Sequence, residues 1–92
     1  MKYVLNLLGS NKGGAEVLEK YDNQEVGIKS KFISNDTPPL ATLFLEGGEV
    51  DIQLIDVRFE DQNILVTAFA VSGDKGGRVV FSLTPISHEN RS

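Results

Sequence analysis

The chain has 92 residues, a net charge of −4, no cysteine and a single histidine, His88. This length predicts one domain. The composition excludes disulfides, Cys-based zinc sites and thiol nucleophiles, and it argues against Ser-His catalysis. We expect a domain over 1–86, a polar tail over 87–92, and no cofactor or metal. Since the apolar N-terminal run is too short for a secretion signal and no stretch reaches the roughly 20 apolar residues of a membrane span, we expect a cytoplasmic protein.

The first part of the chain contains one strand and one ambiguous segment. Residues 2–8 (KYVLNLL) are strand-like, and the glycine-rich stretch 9–14 interrupts them. The following segment allows a short amphipathic helix over 14–21. However, residues 7–18 (LLGSNKGGAEVL) align without gaps on residues 70–81 (AVSGDKGGRVVF), whose second half favours strand. On this internal similarity we favour a hairpin over residues 2–21, and the helix stays as the alternative.

The rest of the chain predicts an antiparallel meander over residues 40–83. A strand over 25–33 and a proline-containing loop over 34–39 precede it. Turns are predicted at 46–49, 60–63 and 72–77, where glycine or Asn and Asp cluster. The apolar parity changes between Ile52 and Val57, which predicts a β-bulge near Leu54 and Ile55.

These elements predict an all-β fold, an antiparallel meander forming a small sandwich or barrel. The strand-like runs recur at intervals of roughly 8–12 residues, which is typical of such folds. Residues 64–71 (ILVTAFAV) are apolar on both faces and need cover on both. That cover can come from a helix over 15–21, from barrel curvature or from another chain, so the sequence leaves homo-oligomer formation open.

The acidic residues give the first candidate site. Residues 34–63 hold seven acidic residues and one basic residue, a net charge of −6. Such a surface favours docking on a basic protein partner and argues against direct binding of nucleic acid or anionic membranes. The predicted partner-binding residues are Glu46, Glu49, Asp51, Asp56, Glu60 and Asp61. A meander places the Glu46–Asp51 end opposite the turn that carries Glu60 and Asp61.

The repeated Lys-Gly-Gly motif gives the second candidate site. Glycine-rich loops can present backbone N–H groups to a phosphate, but the spacing of a P-loop is absent. The predicted anion-binding residues of this alternative are Lys12, Gly13, Gly14, Lys75, Gly76 and Gly77. The purely structural interpretation is that both motifs are hairpin turns.

The phenylalanines fall inside the predicted strands, and we expect them in the core. They are Phe32, Phe44, Phe59, Phe69 and Phe81.

No residue constellation typical of an enzyme is found. We therefore expect a non-enzymatic binding protein, such as an inhibitor, an immunity-type protein or an assembly subunit, that docks its acidic surface on a basic partner. A binder of small anions or nucleotide phosphates and a purely structural oligomer subunit are the alternatives.

Overall fold

The computed structural model describes residues 2–31, 40–45 and 47–86. It contains a closed antiparallel barrel of six strands. The elements in chain order are β1 (Lys2–Ser10), helix α1 (Lys12–Leu18), a 3₁₀ helix (Glu19–Tyr21), β2 (Gln24–Lys31), β3 (Leu40–Leu45), β4 (Gly48–Glu60), β5 (Asn63–Ser72) and β6 (Lys75–Pro85). The predicted all-β class is confirmed. Of the two architectures that the sequence left open, the structure has the barrel, because β1 pairs with β6 and closes the sheet.

The predicted meander is confirmed as the consecutive pairing of β3, β4, β5 and β6. The three turns are tighter than expected, since the strands pair up to Leu45↔Gly48, Glu60↔Asn63 and Ser72↔Lys75. Gly47 in the first turn has φ +97°, a conformation that favours glycine. The turn at Gly47, the turn over 73–74 and α1 lie at one end of the barrel, which we call the helix end. The turn over 61–62 lies at the far end.

The predicted bulge is also confirmed, and it is centred on Ile55. The β4–β5 register shifts between Leu54 and Asp56, so Ile55 is an extra residue on β4. Because successive strand residues alternate in facing, this one residue changes which side chains of β4 point outward. After the bulge Asp56 and Arg58 share the outer face, while Val57 shares the inner face with its buried partner Val66.

The hairpin predicted over residues 2–21 is wrong, because this segment turns into helix α1. Asn11 caps the helix: its side-chain Oδ1 accepts a hydrogen bond of 2.8 Å from the Gly14 N–H. Val17 and Leu18 are buried against the barrel, which stabilises the short helix through tertiary packing. The alternative helix over 14–21 is correct in kind, although α1 begins at Lys12 and continues as the 3₁₀ helix to Tyr21.

The two Lys-Gly-Gly motifs meet in space. A Cβ atom on Gly13 would overlap the Gly76 carbonyl oxygen, and a Cβ on Gly14 would overlap the Arg78 carbonyl oxygen. A Cβ on Gly77 would overlap Oδ1 of Asn11. The motifs are therefore similar because each supplies one side of a backbone-to-backbone contact between α1 and β6. They are not two equivalent turns.

The core fills the barrel interior and extends under α1. Its largest fully buried side chains are Phe81, Leu5, Leu18, Leu43, Ile52 and Leu83. The predicted polar tail over 87–92 lies outside the described residues.

The contact between α1 and β6 predicts a sharp difference between glycines. Gly77→Ala should lower the free energy of unfolding by about 1–3 kcal/mol, because the new methyl group overlaps Asn11 and the Gly14 backbone. Gly48→Ala is the matched control, since nothing lies within 4 Å of a Cβ there. Urea unfolding followed by circular dichroism measures both. Equal stability of the two variants would contradict the close packing.

Candidate protein-docking face

The acidic residues of β4 form a stripe on the outside of the barrel. Glu49 and Asp51 lie at the helix end of the strand, and the bulge keeps Asp56 on the same outer face. Glu60 ends β4, and Asp61 lies in the following turn at the far end. The predicted separation of the Glu49–Asp51 end from Glu60 and Asp61 is thus observed. Glu46 lies outside the described residues.

Two of these carboxylates have direct partners with different consequences. Asp56 Oδ2 lies 3.0 Å from Arg58 Nε, so its charge is compensated on the surface. Asp51 Oδ1 instead accepts a hydrogen bond of 2.9 Å from the hydroxyl of the buried Thr42. That neutral donor orients the carboxylate without removing its charge. The excess negative charge of the described stripe therefore lies at its two ends.

The prediction that the phenylalanines form the core is wrong for three of them. Phe81 is fully buried, but Phe44 is 41%, Phe69 43% and Phe59 80% exposed. Phe32 lies outside the described residues. The sequence pattern places these residues in strands, but facing is set by the register. Phe44 and Phe69 alternate with buried neighbours and therefore point away from the barrel interior.

The exposed apolar side chains lie beside the carboxylates. Phe44 is the cross-strand partner of Glu49, and Val71, 54% exposed, is the partner of Asp51. Phe69 pairs with Gln53, two residues further along β4 and on the same outer face. These groups share the outer face, because directly paired residues of neighbouring strands point to the same side of a sheet. The first and third of the three strands are only about 10 Å apart. We call it the docking face and define it as Phe44, Glu49, Asp51, Phe69 and Val71.

The predicted anion-binding residues also lie at the helix end of the barrel. Gly13, Gly14 and Gly77 take part in the contact between α1 and β6. The Gly14 N–H is bonded to Asn11 Oδ1, and the Ala15 N–H donates to the Asn11 carbonyl oxygen at 2.9 Å. Lys75 Nζ lies 3.8 Å from a Glu16 carboxylate oxygen. These groups are used within the fold, and anion binding stays a prediction.

A cavity of about 350 Å³ opens at the helix end. It brings together one residue of each predicted set, Glu49 and Lys75, with Glu16, Lys20 and Tyr21 of the helical segment. Lys20 Nζ lies 5.2 Å from the centre of the Tyr21 ring, a cation–π distance. A groove of about 580 Å³ lies beside β2, between Lys2, Glu25, Gly27 and Phe44. Both spaces are lined largely by exposed residues.

The described residues offer neither a metal site nor a membrane-spanning helix. Within residues 2–31, 40–45 and 47–86, no group of three or more His, Cys, Asp or Glu side chains could hold a metal ion. In the same part of the chain no helix has the length and apolar character needed to cross a membrane. No protein-family model, curated protein or solved structure matches the chain.

The packing of the glycines predicts how the helix end responds to anions. We expect inorganic phosphate or nucleotides at millimolar concentration to leave the melting temperature of the protein unchanged, because the Gly14 and Ala15 N–H groups already have acceptors. Differential scanning fluorimetry at constant ionic strength measures the effect. A rise that disappears in the double variant Lys12→Ala and Lys75→Ala would contradict this expectation and support the anion site.

Proposed function

We propose that this protein is a non-enzymatic binding protein whose docking face binds a basic protein partner. One observation carries the proposal: the exposed apolar side chains Phe44 and Val71 are direct cross-strand neighbours of the carboxylates Glu49 and Asp51. An inhibitor, an immunity-type protein or an assembly subunit would use such a face in the same way.

The apolar members of the face supply the expected binding energy. Partly exposed phenylalanine and valine side chains gain by leaving water, at about 25 cal/mol per Å² of apolar surface. Aromatic residues near the centre of a contact are also the type that dominates measured binding energies. Because the three strands under them are hydrogen-bonded in a closed barrel, the anchors lie on a rigid support and little ordering is needed on binding.

The carboxylates supply selectivity for a basic partner. Glu49 and Asp51 lie beside the anchors, where an approaching Lys or Arg would be steered before the apolar groups touch. The hydrogen bond from Thr42 holds the Asp51 carboxylate in place. Since Asp56 is already paired with Arg58, the Glu49–Asp51 end of the stripe is the preferred half for this role. The predicted residues Glu60 and Asp61 lie too far along the barrel to share the same contact.

The proposal predicts which variants lose the partner. Phe69→Ser should weaken binding by about 30-fold, which corresponds to the loss of one anchor worth about 2 kcal/mol. The double variant Glu49→Lys and Asp51→Asn should weaken it comparably and reduce its salt dependence. Asn at position 51 keeps a side-chain oxygen for the Thr42 hydroxyl. Partners are first captured from a lysate on the immobilised wild-type protein, identified by mass spectrometry and then measured by titration calorimetry.

A matched control uses the other end of the stripe. The double variant Glu60→Lys and Asp61→Lys changes the net charge by a similar amount but leaves the docking face intact, so it should retain the partner. A captured protein that binds all variants equally, or one that is acidic, would contradict the proposal. Circular dichroism of each variant verifies that the barrel is folded.

A further inference from the structure

Apolar side chains are exposed to solvent on the half of β4 that lies nearer the far end of the barrel. Val57 pairs with Val66, which pairs with Phe81, and both of these partners are buried. Val57 itself is 39% exposed. These three residues form one row of cross-strand partners on β4, β5 and β6. The next such row consists of Phe59, Ile64 and Leu83, of which Leu83 is buried and Phe59 is 80% exposed. Both of these rows of the barrel core thus end on β4 in an apolar side chain that is only partly covered.

The same part of β4 is a strand edge as far as the described residues show. β4 pairs with β5 from Asp51 to Glu60, but its described pairing with β3 ends at Gln53↔Leu40. Within the described ranges, residues 54–60 therefore have a strand neighbour on one side. An edge with free N–H and C=O groups and apolar side chains is a template for a further strand.

The sequence of this edge is complementary to itself. If two copies of Ile55-Asp56-Val57-Arg58-Phe59 pair antiparallel about Val57, each Ile55 lies opposite Phe59 of the other copy. Each Asp56 then lies opposite Arg58, and Val57 lies opposite Val57. Val57 and Phe59 lie on the inner side of the sheet, so the Val57 pair continues an inner row of the barrel, and the charged pairs share the outer face. Directly opposed opposite charges and apolar pairs are the ones that stabilise antiparallel strands.

We propose that a second copy of this chain docks on this edge, with the two β4 strands antiparallel about a two-fold axis at Val57. The contact is isologous, so each copy uses the same surface and the assembly closes at two. Two Asp56 and two Arg58 side chains then alternate across the axis. The ion pair already present within one copy, at 3.0 Å between Asp56 and Arg58, becomes part of this four-residue network. The proposal does not depend on the docking face, which lies on the half of β4 nearer the helix.

Sedimentation equilibrium tests the proposal directly. The wild-type protein should show a concentration-dependent rise from the monomer mass of 10.1 kDa towards twice that value. Arg58→Asp turns two attractive cross-strand pairs into two repulsive ones, and it should weaken self-association by about tenfold or more. Asp56→Arg should do the same with the opposite charge.

Two further samples test whether the two copies pair in this β4 register or through another contact. The charge-swapped double variant Asp56→Arg and Arg58→Asp keeps the composition and restores both cross-strand pairs, so it should associate like the wild type. In an equimolar mixture of Arg58→Asp and Asp56→Arg, the dimer with one copy of each variant should form in preference to either homodimer. Native mass spectrometry measures the proportions of the three dimers. Asp56 and Arg58 side chains are 50% and 67% exposed, so these changes should leave thermal unfolding of the monomer nearly unchanged.

Three outcomes would overturn the proposal. The first is a wild-type protein that stays monomeric at every concentration reached, which would mean that the edge is covered by the chain itself or by solvent. The second is association that Arg58→Asp leaves unchanged, which would place the contact on another face. The third is a charge-swapped variant that fails to associate although each chain is folded.

Discussion

The direct contact between the backbones of α1 and β6 determines how the helix end of the barrel is built. Four glycines lie at this contact, and for three of them a Cβ atom would overlap the opposing segment. Because these glycines have no side chains, the helix packs close enough to β6 to bury Val17 and Leu18. The Asn11 cap reinforces the contact, since its N–H donates to the Arg78 carbonyl oxygen at 3.1 Å while its side chain caps the helix. A seven-residue helix depends on such packing, because it is too short to be stable by itself.

The bulge at Ile55 has a comparable effect on the other half of the molecule. Without it, the polar residues Asp56 and Arg58 would point to the interior side of the sheet, and Val57 and Phe59 would point outward. With it, β4 presents one continuous polar stripe outside while its apolar residues continue the rows of the core. One inserted residue thus separates the acidic surface from the apolar edge.

The two proposed contact surfaces are compatible within one assembly. The docking face uses the outer side of β3, β4 and β5 near the helix end, and the proposed self-association uses the edge of β4 towards the far end. A two-fold pair joined at Val57 would carry two docking faces, one on each copy. A partner with two basic sites would then gain from bivalent binding, whereas a partner with one site would bind each copy independently.

The sequence by itself determined the all-β class, the meander, its turns and the bulge. These features follow from local chemistry: Gly, Asn and Asp favour turns, and a change of apolar parity along one strand requires an extra residue. The acidic residues of β4 were also recognisable from charge counting. Only the tertiary structure decided that residues 12–18 are helical, because the two Lys-Gly-Gly motifs match each other in space and not as repeated turns. It alone also decided that Phe44, Phe59 and Phe69 are exposed. Phe44 and Phe69 face outward because of the register between strands, and Phe59 lies beyond the last described pairing of β4 with β3.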